Sequence, residues 1–181
     1  VVLVIANTVR LPAVPALSQV SGHLDFAERG MQARDLTAEV FGGQVKIAVV
    51  AQEGGVRVTA SGNADLATVA SESDLPMRSR ISGVTDWQLS AQSRATLSSW
   101  VIESNLKGAN LEFPAPIGKL PAESTLLRIE RRESTGRGAE DTLTVDYRGN
   151  LRVIAHRDLT KGAGNVDRAL LLMGSAMTRG G

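Results

Sequence analysis

The sequence is poor in several residue types on which catalysis and recognition often depend. It has no cysteine, two histidines, two Trp, one Tyr and three Phe in 181 residues. The absence of cysteine excludes disulfides, a thiol nucleophile and every thiolate metal site. Few aromatic rings leave little means of stacking bases, and a net charge of +1 gives no basic surface for nucleic acid. No apolar run approaches the roughly 18 residues of a membrane-spanning helix.

The polar residues show no arrangement typical of catalysis. Ser21, His23 and Asp25 alternate along a predicted strand and therefore share one face. Residues two apart on a strand stand roughly 7 Å apart, too far for a nucleophile and its base to share a hydrogen bond. Gly118 and Lys119 lack the other residues of a phosphate-binding loop. We therefore expect a protein that is not an enzyme and that uses no cofactor and no metal.

Apolar residues recur at every second position through much of the chain, which is typical of half-buried β-strands. Residues 45–60 contain two such strands around Gly54-Gly55, and residues 143–155 contain two more around Arg148-Gly149-Asn150. Glycine-containing turns between alternating segments predict two antiparallel hairpins.

Two other segments interrupt this pattern. Residues 31–41 also alternate, but the phase slips at Arg34-Asp35, where a β-bulge would absorb the additional residue. Residues 63–72 have helical spacing and predict the one short helix, with Asn63 or Asp65 as its N-cap.

The fold class that follows is mainly all-β. We predict a curved, twisted antiparallel meander sheet that forms a groove or a partial barrel, in one β-rich segment over residues 1–174. Its last strand lies in residues 165–174, where three consecutive leucines, residues 170–172, predict that both faces are covered. Residues 175–181 are expected to be a flexible tail.

An internal similarity suggests a repeat. Residues 20–26 and 81–87 both read apolar, Ser, Gly, two variable residues, Asp, aromatic. We therefore expect weak repeat units at about 20–80 and 81–132, as part of a larger repeating protein.

Several stretches, taken together, resemble a known family. They are residues 20–26, 41–43, 82–87, 106–108, 113–119 and 166–174. In this order they resemble the C-terminal half of the YhdP branch of the AsmA-like envelope proteins, over about residues 12–174. The more specific pieces are Pro-Ala-Pro-Ile-Gly-Lys at 114–119 and Asp-Arg-Ala-Leu-Leu-Leu-Met-Gly at 167–174.

The resemblance implies a location and a role. Such proteins are anchored in the bacterial inner membrane by an N-terminal helix that this sequence does not include, and they extend through the periplasm. They are similar to bridge-like lipid transfer proteins, in which phospholipid passes along the apolar inner face of a long curved sheet to the outer membrane. The resemblance therefore implies phospholipid as the partner, with other envelope proteins as further partners, and brings no catalytic residue.

The physical cost of moving a lipid explains why such a groove would be useful. Each methylene exposed to water costs ~0.8 kcal/mol, so a sixteen-carbon chain costs about 13 kcal/mol. The predicted groove-facing residues are Leu24, Phe26, Val45, Ile47, Val49, Val56, Val58, Leu127, Ile129, Leu143, Val145, Leu151 and Val153. The same alternation would equally build the closed core of a sandwich, and periodicity does not separate a groove from a core.

Other interpretations remain open at this point. A β module without lipid could dock an envelope protein, for example through residues 114–119, and an enzyme acting on envelope glycans would need a cleft with converging carboxylates. Arg128, Arg131 and Arg132 form a small basic cluster; we expect a solvated face, with contact to anionic headgroups as the alternative. Exposed sheet edges could also pair between copies and give a dimer without biological meaning.

Overall fold

The computed structural model describes residues 2–9, 17–27, 30–52, 54–73, 75–134, 139–158 and 167–174. The side chains of Leu24 and Phe26 lie outside this description, although the backbone of both is included. The predicted tail at 175–181 also lies outside the described residues.

Strands dominate the described chain. They are β1 (Val2–Val9), β2 (Leu17–Ala27), β3 (Gly30–Val40), β4 (Gly43–Gln52), β5 (Gly55–Asp65), β6 (Ile81–Ser82), β7 (Val84–Arg94), β8 (Leu97–Ser104), β9 (Asn110–Leu111), β10 (Leu127–Ser134), β11 (Glu140–Tyr147), β12 (Leu151–Asp158) and β13 (Arg168–Met173). A short helix, α1 (Leu66–Glu72), and a single 3₁₀ turn (Arg78–Arg80) lie between β5 and β6.

The strands form one open antiparallel meander. Eleven of them follow each other in chain order across the sheet, and only β6 and β9 leave it to pair with one another. Both predicted hairpins are confirmed, as β4 with β5 and β11 with β12. The fold class is therefore confirmed as a mainly-β antiparallel meander with one short helix, and the sheet is open rather than closed.

The phase slip in β3 is a β-bulge, as the sequence predicted. The register against β4 shifts between Ala33 and Leu36, and Asp35 has a φ of 57°. The bulge returns the apolar side chains of β3 to the face that they left, because a slip of one residue would otherwise turn them to the opposite face.

The helix begins later than the sequence predicted. Residues 63–65 belong to β5, which pairs with β7 as far as Asp65 opposite Val84. Asp65 is nevertheless the N-cap, since its Oδ1 accepts a hydrogen bond from the Ala67 amide at 3.0 Å. Residues 63–65 therefore form strand pairs with β7 although their spacing is helical.

The two excursions from the meander meet beyond one end of the strands, and we call residues 66–73, 75–83 and 105–126 together the cap. The cap is held by the β6–β9 pair and by a bridge from Leu111 to Lys119. Leu106 and Ala109 are buried against Tyr147 of β11, with Leu127 partly buried beside them. The cap therefore packs onto the sheet at the ends of β10 to β12.

The prediction that the last strand is covered on both faces is wrong. Among the described residues, β13 pairs only with β12 and is the edge of the sheet. Leu170 and Leu171 lie on opposite faces and are 46% and 58% exposed. A run of consecutive leucines is typical of a covered central strand, but here it lies on a sheet edge.

Candidate functional site

One face of the sheet is apolar across most of its width, and we call it the apolar face. Directly paired residues of nine consecutive strands form a row on it, each member opposite the next. The row is Leu36, Ile47, Ala60, Leu89, Ile102, Ile129, Val145, Val153 and Leu171. Paired residues in a sheet point to the same side, so this row is continuous and lacks any polar side chain.

All of the predicted groove residues have the register of this face. Val49 pairs with Val58, Leu127 with Tyr147 and Leu143 with Arg131. Each of the other predicted residues either belongs to the row or lies two or four residues along the same strand from a residue of this face, and so points to the same side. For Leu24, which pairs with Ala33, and for Phe26, which pairs with Met31, the statement concerns the backbone alone.

The apolar face is closely packed at one end and open at the other. Val45 is only 2% exposed and forms a buried cluster with Val20, Ala38 and Ala60. Val153 is 36% exposed, and exposure increases towards β13. Among the described residues the only second sheet is the β6–β9 pair in the cap, so no second sheet layer covers the open end. The most exposed apolar side chains of this face therefore lie on β12 and β13, and Val56 of β5, 39% exposed, is a further exposed member.

The cap closes one long side of the apolar face, which we call the cap rim: Ser104, Leu127, Tyr147 and Leu151. Ser104 Oγ donates to the carbonyl of Asp86 at 2.7 Å and accepts from the Leu106 amide at 2.9 Å. Tyr147 Oη donates to the carbonyl of Ile117 at 2.7 Å. These bonds satisfy the buried hydroxyls and fix the cap to the strand ends.

The opposite long side of the same face is polar. Its members lie at the strand ends away from the cap and pair with one another across the sheet. We call them the hairpin rim: Ser93, Ser98, Glu133, Asp141 and Arg157. Asp141 is 1% exposed and is the largest fully buried side chain in the described part of the chain. Arg131 donates to it from Nε at 2.8 Å and from Nη2 at 3.0 Å, and Arg157 donates from Nη2.

Electrostatics keep Asp141 ionised. Burial acts to raise the pKa of its carboxyl group, but the hydrogen bonds and positive charges of Arg131 and Arg157 outweigh burial and lower that pKa. The same contacts raise the pKa of Arg131. The cluster is therefore a charged network at the polar margin of the apolar face.

The opposite face of the sheet is polar across most of its width, although Ile154, Leu170 and Leu172 on β12 and β13 are apolar. One row of it runs Ser21, Thr37, Lys46, Ser61, Gln88, Glu103, Arg128, Asp146 and Arg152. A concavity of about 860 Å³ is lined by several of these side chains and also by Ala38, Val45, Trp87 and Leu126. Its lining mixes amides, hydroxyls and charges with apolar groups, and polar groups of this kind do not favour acyl chains. Among the Ser21, His23 and Asp25 set, Ser21 Oγ bonds Thr37 Oγ1 at 2.9 Å.

The basic cluster of the sequence is divided between the two faces. Arg128 pairs with Glu103 at 2.5 Å and Arg132 with Glu130 at 2.6 Å on the polar side. Burial acts to raise the pKa of Glu130, but hydrogen bonds from both arginines lower it. Arg131 has the parity of Ile129 and so faces the other way. Strand parity was the signal that could have revealed Arg131 and Asp141 on the apolar face, and the sequence reasoning did not use it.

Comparison with known proteins gives one finding. The family model described as YhdP protein matches residues 2–180. The chain belongs to the YhdP protein family. No curated protein and no solved structure is detectably similar to it.

YhdP membership is consistent with an AsmA-like role in the cell envelope and in lipid transport. Of the two specific elements, residues 114–119 lie in the cap, where the Ala115-Pro116 peptide is cis, and residues 168–173 form β13. No helix in the described part of the chain has the length and apolar character to cross a bilayer.

Proposed function

We propose that this chain shields phospholipid acyl chains on its apolar face during transport between the inner and outer membranes. The observation that carries the proposal is the continuous apolar row through nine strands, from Leu36 to Leu171. In this proposal the protein acts in the periplasm, carries phospholipid and is not an enzyme. YhdP membership supports this role.

The dimensions of the row fit such a cargo. Neighbouring strands lie about 4.8 Å apart, so eight intervals span roughly 38 Å. One leaflet of a bilayer has a hydrocarbon depth of roughly 15 Å, half of the ~30 Å core. The row is therefore longer than an acyl chain, and a lipid that moves over its accessible part would keep apolar contact.

The side chains of the row also suit a mobile cargo. Valine, leucine, isoleucine and alanine provide dispersion contacts in every orientation, whereas a polar side chain would hold the lipid at one point or would need its own partner. If contact with the row removes most of the ~13 kcal/mol cost of exposing a sixteen-carbon chain, movement between neighbouring positions meets no large barrier.

The test compares two neighbouring residues of β11 that face opposite sides. Val145 lies in the apolar row, and Thr144 lies on the polar face; both are half-buried. The chain and its Val145→Asn and Thr144→Asn variants are purified from bacterial cells in mild buffer. Native mass spectrometry and organic extraction then give the amount of bound phospholipid.

We expect Val145→Asn to retain several-fold less phospholipid than Thr144→Asn, while circular dichroism shows that both variants keep the sheet. Equal retention by both variants, or no lipid in the unchanged chain, would contradict the proposal. The second of these results would favour a β module that docks an envelope protein.

A further inference from the structure

The two long sides of the apolar face differ in chemistry. The cap rim is walled by packed residues, and the hydroxyls of Ser104 and Tyr147 already have partners. Lys119, the buried cation of the cap, donates from Nζ to the carbonyls of Ala109 and Leu120 at 2.9 and 2.8 Å. Burial lowers its pKa. The hairpin rim has no such wall among the described residues and carries charged side chains.

Arg157 has hydrogen-bonding capacity left at the hairpin rim. Its side chain is 32% exposed, and among the described residues it makes one hydrogen bond, to Asp141. A guanidinium has five N–H donors in a planar fork that matches the oxygens of phosphate. Asp141 holds the group at the border of the apolar face, where it remains partly exposed to solvent.

The distance between the rims matches the length of a lipid tail. Ser98 on the hairpin rim and Ser104 on the cap rim are six residues apart on β8, which is roughly 20 Å at 3.4 Å per residue. An acyl chain of roughly 15 Å fits between the rims when it lies along the strands.

We propose that a bound phospholipid lies with its headgroup at the hairpin rim and its acyl chains directed along the strands towards the cap, and that Arg157 binds the headgroup phosphate. This assignment rests on the proposed function and gives it an orientation. It also gives the charged network a role, since Asp141 positions Arg157 and Arg131 places a second guanidinium beside it. The other end of each acyl chain meets Leu127, Tyr147 and Leu151, which offer no donor to a phosphate except a hydroxyl that already donates to Ile117.

The orientation is tested with single cysteines, which are unambiguous because the chain has none. Ser98→Cys places a fluorophore on the hairpin rim, and Ser124→Cys places one in the exposed part of the cap. Each labelled protein is loaded with phosphatidylcholine that carries a nitroxide either on the headgroup or at the end of one acyl chain.

The headgroup nitroxide should quench the fluorophore at position 98 several-fold more than that at 124, and the acyl-end nitroxide should reverse the order. The opposite order, or equal quenching at both sites by either lipid, would overturn the orientation. If neither lipid binds, the proposed function fails as well, and the binding signal distinguishes that result from a wrong orientation.

The role of Arg157 is tested by comparing lipids with and without a phosphate. Phosphatidylglycerol and diacylglycerol are titrated against Arg157→Gln, and against Arg152→Gln as the matched control on the polar face, where Arg152 pairs with Asp146 at 2.7 Å. Arg157→Lys keeps the charge and the contact to Asp141, and it serves as the variant that should fold in any case.

We expect Arg157→Gln to weaken phosphatidylglycerol binding about tenfold, or ~1.4 kcal/mol, and to leave diacylglycerol binding unchanged. Arg157→Lys should recover part of the loss, and Arg152→Gln should change neither lipid. Equal effects of Arg157→Gln on both lipids would overturn the assignment. Tight binding of inorganic phosphate to the lipid-free chain, lost in Arg157→Gln, would also overturn it by identifying a free-phosphate site.

Discussion

Replacing Asp141 by alanine should be among the most damaging single changes in the sheet. The carboxylate is 1% exposed and accepts three hydrogen bonds, two from Arg131 and one from Arg157. Its removal leaves two guanidinium groups on an apolar face without their partner. Breaking a buried ion pair in this way costs roughly 3–5 kcal/mol, because the remaining charge stays desolvated.

The solvent exposure of the two arginines indicates that the loss of stability lies near the lower end of that range of roughly 3–5 kcal/mol. Their side chains are 23% and 32% exposed, so both can reach water in part after the loss of Asp141. We therefore expect about 3 kcal/mol for Asp141→Ala. With a urea dependence of about 2 kcal/mol per molar, the midpoint of unfolding should fall by roughly 1.5 M.

The assay is equilibrium urea unfolding followed by circular dichroism, with Asp146→Ala as the control. Asp146 pairs with Arg152 across the polar face, where both side chains are more than a fifth exposed, so its loss should cost ~0–1 kcal/mol. Equal midpoints for the two variants would refute the reasoning. Replacing Asp141, Arg131 and Arg157 together by leucine should restore most of the lost stability, since apolar packing often equals a buried ion network.

Three further predictions concern pH, backbone and cap. Because the pKa of Asp141 is lowered, its ionised carboxylate stabilises the fold fully above the ordinary carboxyl range, and this stabilisation is lost as the pH falls below about 4. The free energy of unfolding of Asp141→Asn should therefore fall less with acid than that of the unchanged chain. Gly83→Ala should lower the free energy of unfolding in urea by ~2 kcal/mol more than Gly54→Ala. Both glycines have positive φ, but a Cβ at Gly83 would lie 2.2 Å from the carbonyl oxygen of Gly108, whereas a Cβ at Gly54 would meet nothing within 4 Å. Tyr147→Phe should lower the free energy of unfolding by about 1 kcal/mol, because the carbonyl of Ile117 loses its 2.7 Å hydrogen bond. Amide hydrogen exchange near Ile117 should increase, and unchanged exchange would contradict the attachment of the cap through Tyr147.

The strands were predictable because alternation records which face each side chain occupies. The β3 bulge at Asp35 followed from the same rule, as a change of phase. The rule fails where local pattern and sheet position conflict. Residues 63–65 have helical spacing but gain more from pairing with β7, and Leu170–Leu172 look central although β13 lies at the edge. Neither outcome is encoded locally, because both depend on which strand lies alongside.

The sequence predicted which side chains of the candidate site share one face, but not how deeply each of them is buried. Val45 and Val153 have identical sequence environments in terms of alternation, yet one is 2% and the other 36% exposed. Packing among β2 to β5 buries the first, and the absence of a covering layer at β12, among the described residues, leaves the second open. The hairpin-rim network was missed because Arg131 was grouped with its sequence neighbours, whereas its partner Asp141 lies ten residues away on the next strand.

The most direct test of acyl-chain shielding uses two apolar neighbours on β12 that face opposite sides. Val153 lies in the apolar row opposite Leu171, and Ile154 lies on the polar side opposite Leu170. A diazirine-bearing amino acid at each position is photoactivated in bacterial cells, and adducts are identified by mass spectrometry. We expect phospholipid acyl adducts at position 153 and few at position 154. Equal labelling at both positions, or protein adducts alone at 153, would contradict it.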